Sequence, residues 1–135
     1  MDALDIDFSN LKINEISVIN AGNDCIDVSY GYYYLNRLSL NNCGDKGLSV
    51  GEKSITTINK ADISNSEIGI TSKDSSKVTV DNLSVNNVKT CVAAYKKKQE
   101  FFGGFLKIKN IKCKNYIDKI YLDKYSKIIL QKDMK

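Results

Sequence analysis

The sequence predicts an all-β fold: a right-handed single-stranded parallel β-helix of about six coils, each about 22 residues long. Three observations predict it. Short apolar segments recur at a fixed interval, apolar positions alternate within each segment, and one column of the repeat is held by asparagine.

The first segments are Cys25-Ile26-Asp27-Val28, Gly47-Leu48-Ser49-Val50, Gly69-Ile70-Thr71-Ser72 and Cys91-Val92-Ala93-Ala94, beginning 22 residues apart. A second phrase runs in step: Ile16 to Asn20, Leu38 to Asn42, Ala61 to Asn65, Leu83 to Asn87 and Ile111 to Asn115. A third element precedes it at Ile13, Leu35, Ile58, Val80, Ile108 and Leu130, with steps of 22, 23, 22, 28 and 22. The one long step implies a loop insertion near residues 96–103. Four residues before each of these six stands a small residue: Ser9, Gly31, Ser54, Ser76, Gly104 and Ser126.

Alternation of the Leu83-x-Val85 kind means strands. Runs this short cannot bury a face alone, whereas stacked copies bury a continuous interior. Asn20, Asn42, Asn65, Asn87 and Asn115 follow the second strand in every unit. A sharp bend there needs a left-handed residue, which Asn tolerates, and stacked amides can bond from coil to coil at ~4.8 Å.

The expectation for organisation is one domain over residues 1–135, a fragment or C-terminal module of a longer β-helix. Asp5-Ile6-Asp7-Phe8 reads as an added edge strand, and Lys127-Ile128-Ile129-Leu130 opens a further coil. The competing reading is a small complete protein with ends blunted by Lys132, Asp133 and Lys135.

Composition narrows the chemistry. Twenty basic against 16 acidic residues give +4, and Arg37 is the one arginine. That disfavours nucleic acid as a partner, since bidentate clamps need arginine. With no histidine, imidazole acid–base chemistry and the Ser-His and Cys-His nucleophile systems are excluded. No apolar run has the length of a membrane span, and Met1-Asp2-Ala3-Leu4-Asp5 lacks the features of a secretory leader. Four cysteines read as unpaired buried thiols. Cys25 and Cys91 share a column three coils apart, roughly 14 Å by strand spacing. Cys113 shares the inward column of Val18, Leu40, Ile63 and Val85, and Cys43 follows a ladder Asn in a different coil. Unpaired thiols suit a reducing compartment without fixing one.

At this point the chain resembles the pectate-lyase-like superfamily of right-handed parallel β-helices, on the strength of the repeat and the asparagine column. The stretch Gly44 to Ser54, then Gly69 to Ser76, then Ala93 to Lys98, is similar to β-helix modules of large bacterial surface proteins, including those with a CotH-type kinase-like domain. The resemblance implies fold far more than activity, because that superfamily holds lyases, glycosidases and non-catalytic modules. An exported parent chain would place the module at the bacterial surface or outside the cell; the thiols suit the cytoplasm equally.

The outward columns after the third strand read Ser29/Gly51/Lys73/Tyr95, Tyr30/Glu52/Asp74/Lys96 and Gly31/Lys53/Ser75/Lys97. Glu52, Asp74, Lys73 and Tyr95 are the catalytic candidates. A lyase would use Lys73 or Tyr95 as base, and an inverting glycosidase needs two carboxylates ~6.5–9.5 Å apart. The simpler reading is a solvated ladder of opposite charges. Asn23, Asp45 and Glu67, beside Asp24 and Lys46, offer oxygen ligands that calcium takes. No calcium-loop spacing is present, so no cofactor is expected and these read as bend residues.

Tyr30, Tyr32, Tyr95, Lys96, Lys97 and Lys98 are the binding candidates, near Phe101 and Phe102 of the insertion; the competing reading turns Tyr33 inward and has Phe101 and Phe102 merely cover the insertion. Aromatic rings with lysines suit sugar stacking and pairing with acidic groups. The reading is therefore a non-catalytic module that binds acidic polysaccharide or a protein partner. A polysaccharide lyase or glycosidase, and a purely structural spacer, are the alternatives. Adjoining coils of a parent chain or a homo-oligomer are further candidate partners.

Overall fold

A computed structural model describes residues 1–134. Its nine strands are β1 (Leu4–Asp7), β2 (Asn10–Ala21), β3 (Ile26–Ser29), β4 (Tyr32–Cys43), β5 (Lys46–Val50), β6 (Ile55–Lys73), β7 (Lys77–Tyr95), β8 (Phe105–Leu122) and β9 (Lys127–Asp133). Every pairing is parallel, and there is no helix among the described residues. Leu35 pairs with Ile58, Ile58 with Val80, Val80 with Ile108 and Ile108 with Leu130. The chain is a parallel β-solenoid of about six turns at the predicted spacing.

The interior is built from stacked columns. Ile26, Leu48, Ile70 and Val92 form one, and Leu38, Ala61, Leu83 and Ile111 another, all fully or almost fully buried. Each such side chain larger than alanine contributes roughly 1.5–3 kcal/mol of burial, so cohesion grows with every coil. Tyr33 is inward, as one of the two readings had it, donating its hydroxyl to the Ser29 carbonyl at 2.8 Å. The two glycines of the small-residue column have a steric cause. A Cβ on Gly31 would collide with the Ser9 carbonyl oxygen, and one on Gly104 with that of Ser72.

The asparagine column is a ladder. All five members have positive φ, from 54° at Asn115 to 69° at Asn20. Asn42 donates to Asn20 and Asn87 to Asn65, each at 2.6 Å. The other rungs step sideways: Asn65 donates to Asn41 and Asn115 to Asn86, each at 2.7 Å. A second row, not expected from sequence, lines the bend inside β2, β4 and β6. There Asn36 donates to Asn14 at 2.9 Å and Asn59 to Asn36 at 3.0 Å.

The four-thiol expectation is overturned. Cys25 and Cys43 form a disulfide with Cα atoms 5.3 Å apart, leaving Cys91 and Cys113 free. Comparing cysteines within one column hid this pair. The left-handed turn at Asn42 swings the next residue, Cys43, into the interior one coil beyond Cys25.

Toward the C-terminal side two interior columns become charged. Lys119 continues the Cys25/Gly47/Gly69/Cys91 column, Asp133 pairs with Ile111, and the two side chains form an ion pair.

Candidate functional site

Two surfaces gather the chemistry. The first is the corner where the third strand turns back to the first. The turn residues Phe8 and Tyr30 have φ of 50° and 43°, a backbone that Gly or Asn occupies with far less strain. Their rings stack in parallel with centroids 4.6 Å apart, and Phe101 of the 96–104 loop meets Tyr30 edge-on at 6.4 Å. Phe8 is 77% exposed, Phe102 83% and Tyr32 61%. These rings form a hydrophobic ridge in water rather than a core.

The loop that completes the ridge is fixed from below. Asp74 is fully buried, and its Oδ1 accepts from the backbone N–H groups of Lys97 and Lys98, both at 2.8 Å. The Ser75 hydroxyl accepts from the Phe102 N–H at 2.8 Å. Glu52 pairs with Lys98 at 3.0 Å, and this hydrogen bond raises the Lys98 pKa. Lys96 lies 4.8 Å from the Tyr125 ring centroid, with Lys124 at 5.2 Å. The corner therefore presents aromatic faces with ammonium groups beside them.

The second surface is the outer face of the third-strand stack, β3, β5 and the C-terminal parts of β6 and β7. The carboxylates of Asp2, Asp24 and Asp27 lie within 4.8 Å of one another. Asp2 accepts from the Asn23 side chain and the Asp24 N–H; Asp24 accepts from the Lys46 N–H. Lys46 reaches Asp45 at 2.7 Å and Asp24 at 3.9 Å. Asn23, Asp45 and Asp24, in or beside the oxygen-rich column read from sequence, are thus committed to internal partners. Lys73 lies along Gly51, where a Cβ would stand 3.4 Å from its Cε, and pairs in register with Tyr95. Tyr95 meets Tyr121 edge-on at 5.7 Å. Between them, Asp45, Glu67, Lys89, Asp118 and the two tyrosines line an open groove of about 470 Å³.

Burial perturbs the charges on this face. It pushes the Asp27 carboxyl up to about 6, with Lys73 opposing, and raises Asp24 and the Tyr95 hydroxyl. It lowers Lys73, helped by Lys46 and Lys97. Burial works against the Lys46 ammonium too, but the Asp45 hydrogen bond and Asp24 outweigh it and the net shift is upward.

The candidates therefore divide. Tyr30, Tyr32 and Lys96 to Lys98 lie at the corner ridge, while Lys73 and Tyr95 belong to the strand face. The single solvated charge ladder is not what forms: Asp74 is 0% and Lys73 8% exposed. Phe8 and Tyr121 were missed. Phe8 stands one register position from Tyr30, a signal available in the repeat; Tyr121 lies beyond the insertion, where the spacing shifts.

No protein-family model, curated protein or solved structure matches the chain.

Proposed function

We propose that this solenoid is a non-catalytic binding module for acidic polysaccharide, with the corner ridge as its contact surface. One observation carries the reading: Phe8 and Tyr30 stack their rings at the surface rather than in the core, and Phe101 extends them. Sugar rings stack on such faces, and Lys96 to Lys98 and Lys124 supply cations for carboxylates. The resemblance to pectate-lyase-like β-helices and to modules of large bacterial surface proteins agrees with a glycan ligand.

Titration calorimetry with polygalacturonate, against a neutral polysaccharide of similar length, tests this. We expect binding to the uronate polymer that weakens as salt rises, because exposed charges are screened beyond ~10 Å at 0.1 M. Tyr30→Ala combined with Lys97→Ala should lower affinity at least tenfold. Equal affinity for both polymers would overturn acidic selectivity, and absence of binding to either, or indifference to the double substitution, would leave a spacer role as the better account.

The strand face favours a second reading, a polysaccharide lyase. Asp27, Lys73 and Tyr95 have pKa values shifted by burial, and such clusters mark acid–base sites. Growth of ultraviolet absorbance from unsaturated uronate, abolished by Lys73→Ala, would favour it over the binding module.

A further inference from the structure

The column Cys25, Gly47, Gly69 and Cys91 faces the second-strand column of the next coil. A Cβ built on Gly69 would stand 3.1 and 3.3 Å from the two γ-carbons of Val85. Cys91 is the register partner of Gly69, and Cys113 that of Val85. Cys91 and Cys113 therefore face each other across the interior one coil further along. The inner coils carry glycine in the first column; the outer coils carry cysteine. Cys25 already bonds forward to the next coil through Cys43. Cys91 is its counterpart three coils along, with a thiol in front of it.

We propose that Cys91 and Cys113 form a redox-active dithiol, closed to a second interior disulfide by a low-molecular-weight disulfide of the glutathione type. Cys113 is the attacking group, since it is partly exposed while Cys91 is fully buried. The interaction between the two thiols holds the Cys113 pKa down and Cys91 up; Lys119, one coil above Cys91, adds to the lowering at Cys113. In the first step the Cys113 thiolate attacks one sulfur of oxidised glutathione. The glutathione S–S bond breaks, a Cys113–glutathione mixed disulfide forms, and one glutathione leaves as thiolate. Cys91 then loses its proton and attacks the Cys113 sulfur, expelling the second glutathione. The two cysteines lose two electrons, the oxidant gains them, and the two cysteine protons end on two glutathione thiols.

The test uses the whole chain, exposed to graded ratios of oxidised to reduced glutathione, quenched, alkylated in denaturant and digested. We expect alkylatable thiols to fall from two to none, a linked peptide joining Cys91 and Cys113, and a higher melting temperature. Cys91→Ser should instead hold glutathione on Cys113 as a stable mixed disulfide, and Cys113→Ser should react at least tenfold more slowly. Two thiols still alkylatable under the most oxidising ratio would overturn the proposal. So would a linked peptide joining either residue to Cys25 or Cys43, or equal reactivity of the two serine variants.

Discussion

Asn65 shows what one ladder residue contributes. Its φ is 59°, it donates to Asn41, and it accepts from Asn87. Asn65→Ala keeps the left-handed strain, about 1 kcal/mol, and loses two hydrogen bonds of about 1 kcal/mol each, so about 3 kcal/mol in all. Asn65→Gly relieves the backbone and loses only the bonds, near 2 kcal/mol. Denaturant unfolding should rank glycine above alanine; the reverse order would show that the turn does not require left-handed backbone. Asp27 makes a separate prediction, about pH. Burial, with Asp24, Asp2 and Asp5 adding and Lys73 opposing, lifts its pKa to about 6, above roughly 3.9 in the unfolded chain. Between those values the folded chain holds a proton that the unfolded chain has released. Stability therefore falls as pH rises through this window, by about 1 kcal/mol once solvent screening of a half-exposed group is allowed for. Asp27→Asn should melt higher than the parent at neutral pH and level with it below pH ~4, read by thermal melts across that range.

At the scale of elements, the β6–β7 turn and the 96–104 loop behave as one unit because Asp74 joins them. Asp74→Ala leaves the Lys97 and Lys98 N–H groups without their acceptor, a loss of about 2–3 kcal/mol for bonds to a charged group. Hydrogen exchange at those two amides should accelerate, and the Tyr30–Phe101 contact should loosen with it. Unchanged exchange would mean that other contacts order the loop. This element also marks where sequence reading succeeds and stops. The strands and the Asn20 to Asn115 ladder are legible because apolar alternation and a fixed step leave little else for the chain to do. Burial of Lys73 and Asp74 is not legible. Reading the columns after the third strand as outward sends both to solvent, and an outward residue is covered only when a loop or a neighbouring coil folds over it. The Cys25–Cys43 bond is hidden for a related reason: it joins two different columns, and column alignment compares like with like. Asn14, Asn36 and Asn59 were in plain view, yet a polar residue between an apolar and a charged one in a strand looks like any solvent-facing position.

At the scale of the whole solenoid, an open coil edge resists added strands only if it does not invite them. The N-terminal side carries β1 with Leu4 and Ile6 packed against the core, and Asp5 and Asp7 on its other face. The opposite side uses a different device. Ile120 and Leu122 continue the interior columns of Val92 and Ala94, and both are nearly half exposed. Stacking on them would also require covering Lys119 and Asp133, which sit in interior columns as an ion pair. Burying such a pair costs several kcal/mol of desolvation per ion, more than two partly exposed aliphatic side chains return. The pair thus opposes edge-to-edge growth while leaving the coil beneath it intact. Replacing both residues by leucine makes the end apolar throughout, and we expect Lys119→Leu with Asp133→Leu to associate as concentration rises in sedimentation velocity, relative to the parent chain. Breaking only one partner, as in Asp133→Leu, leaves Lys119 unpaired, so it should destabilise the last coil and associate less than the double variant. Equal association of the parent and double variants would place control of the edge elsewhere, in the surface lysines Lys124, Lys127 and Lys132 around the same end.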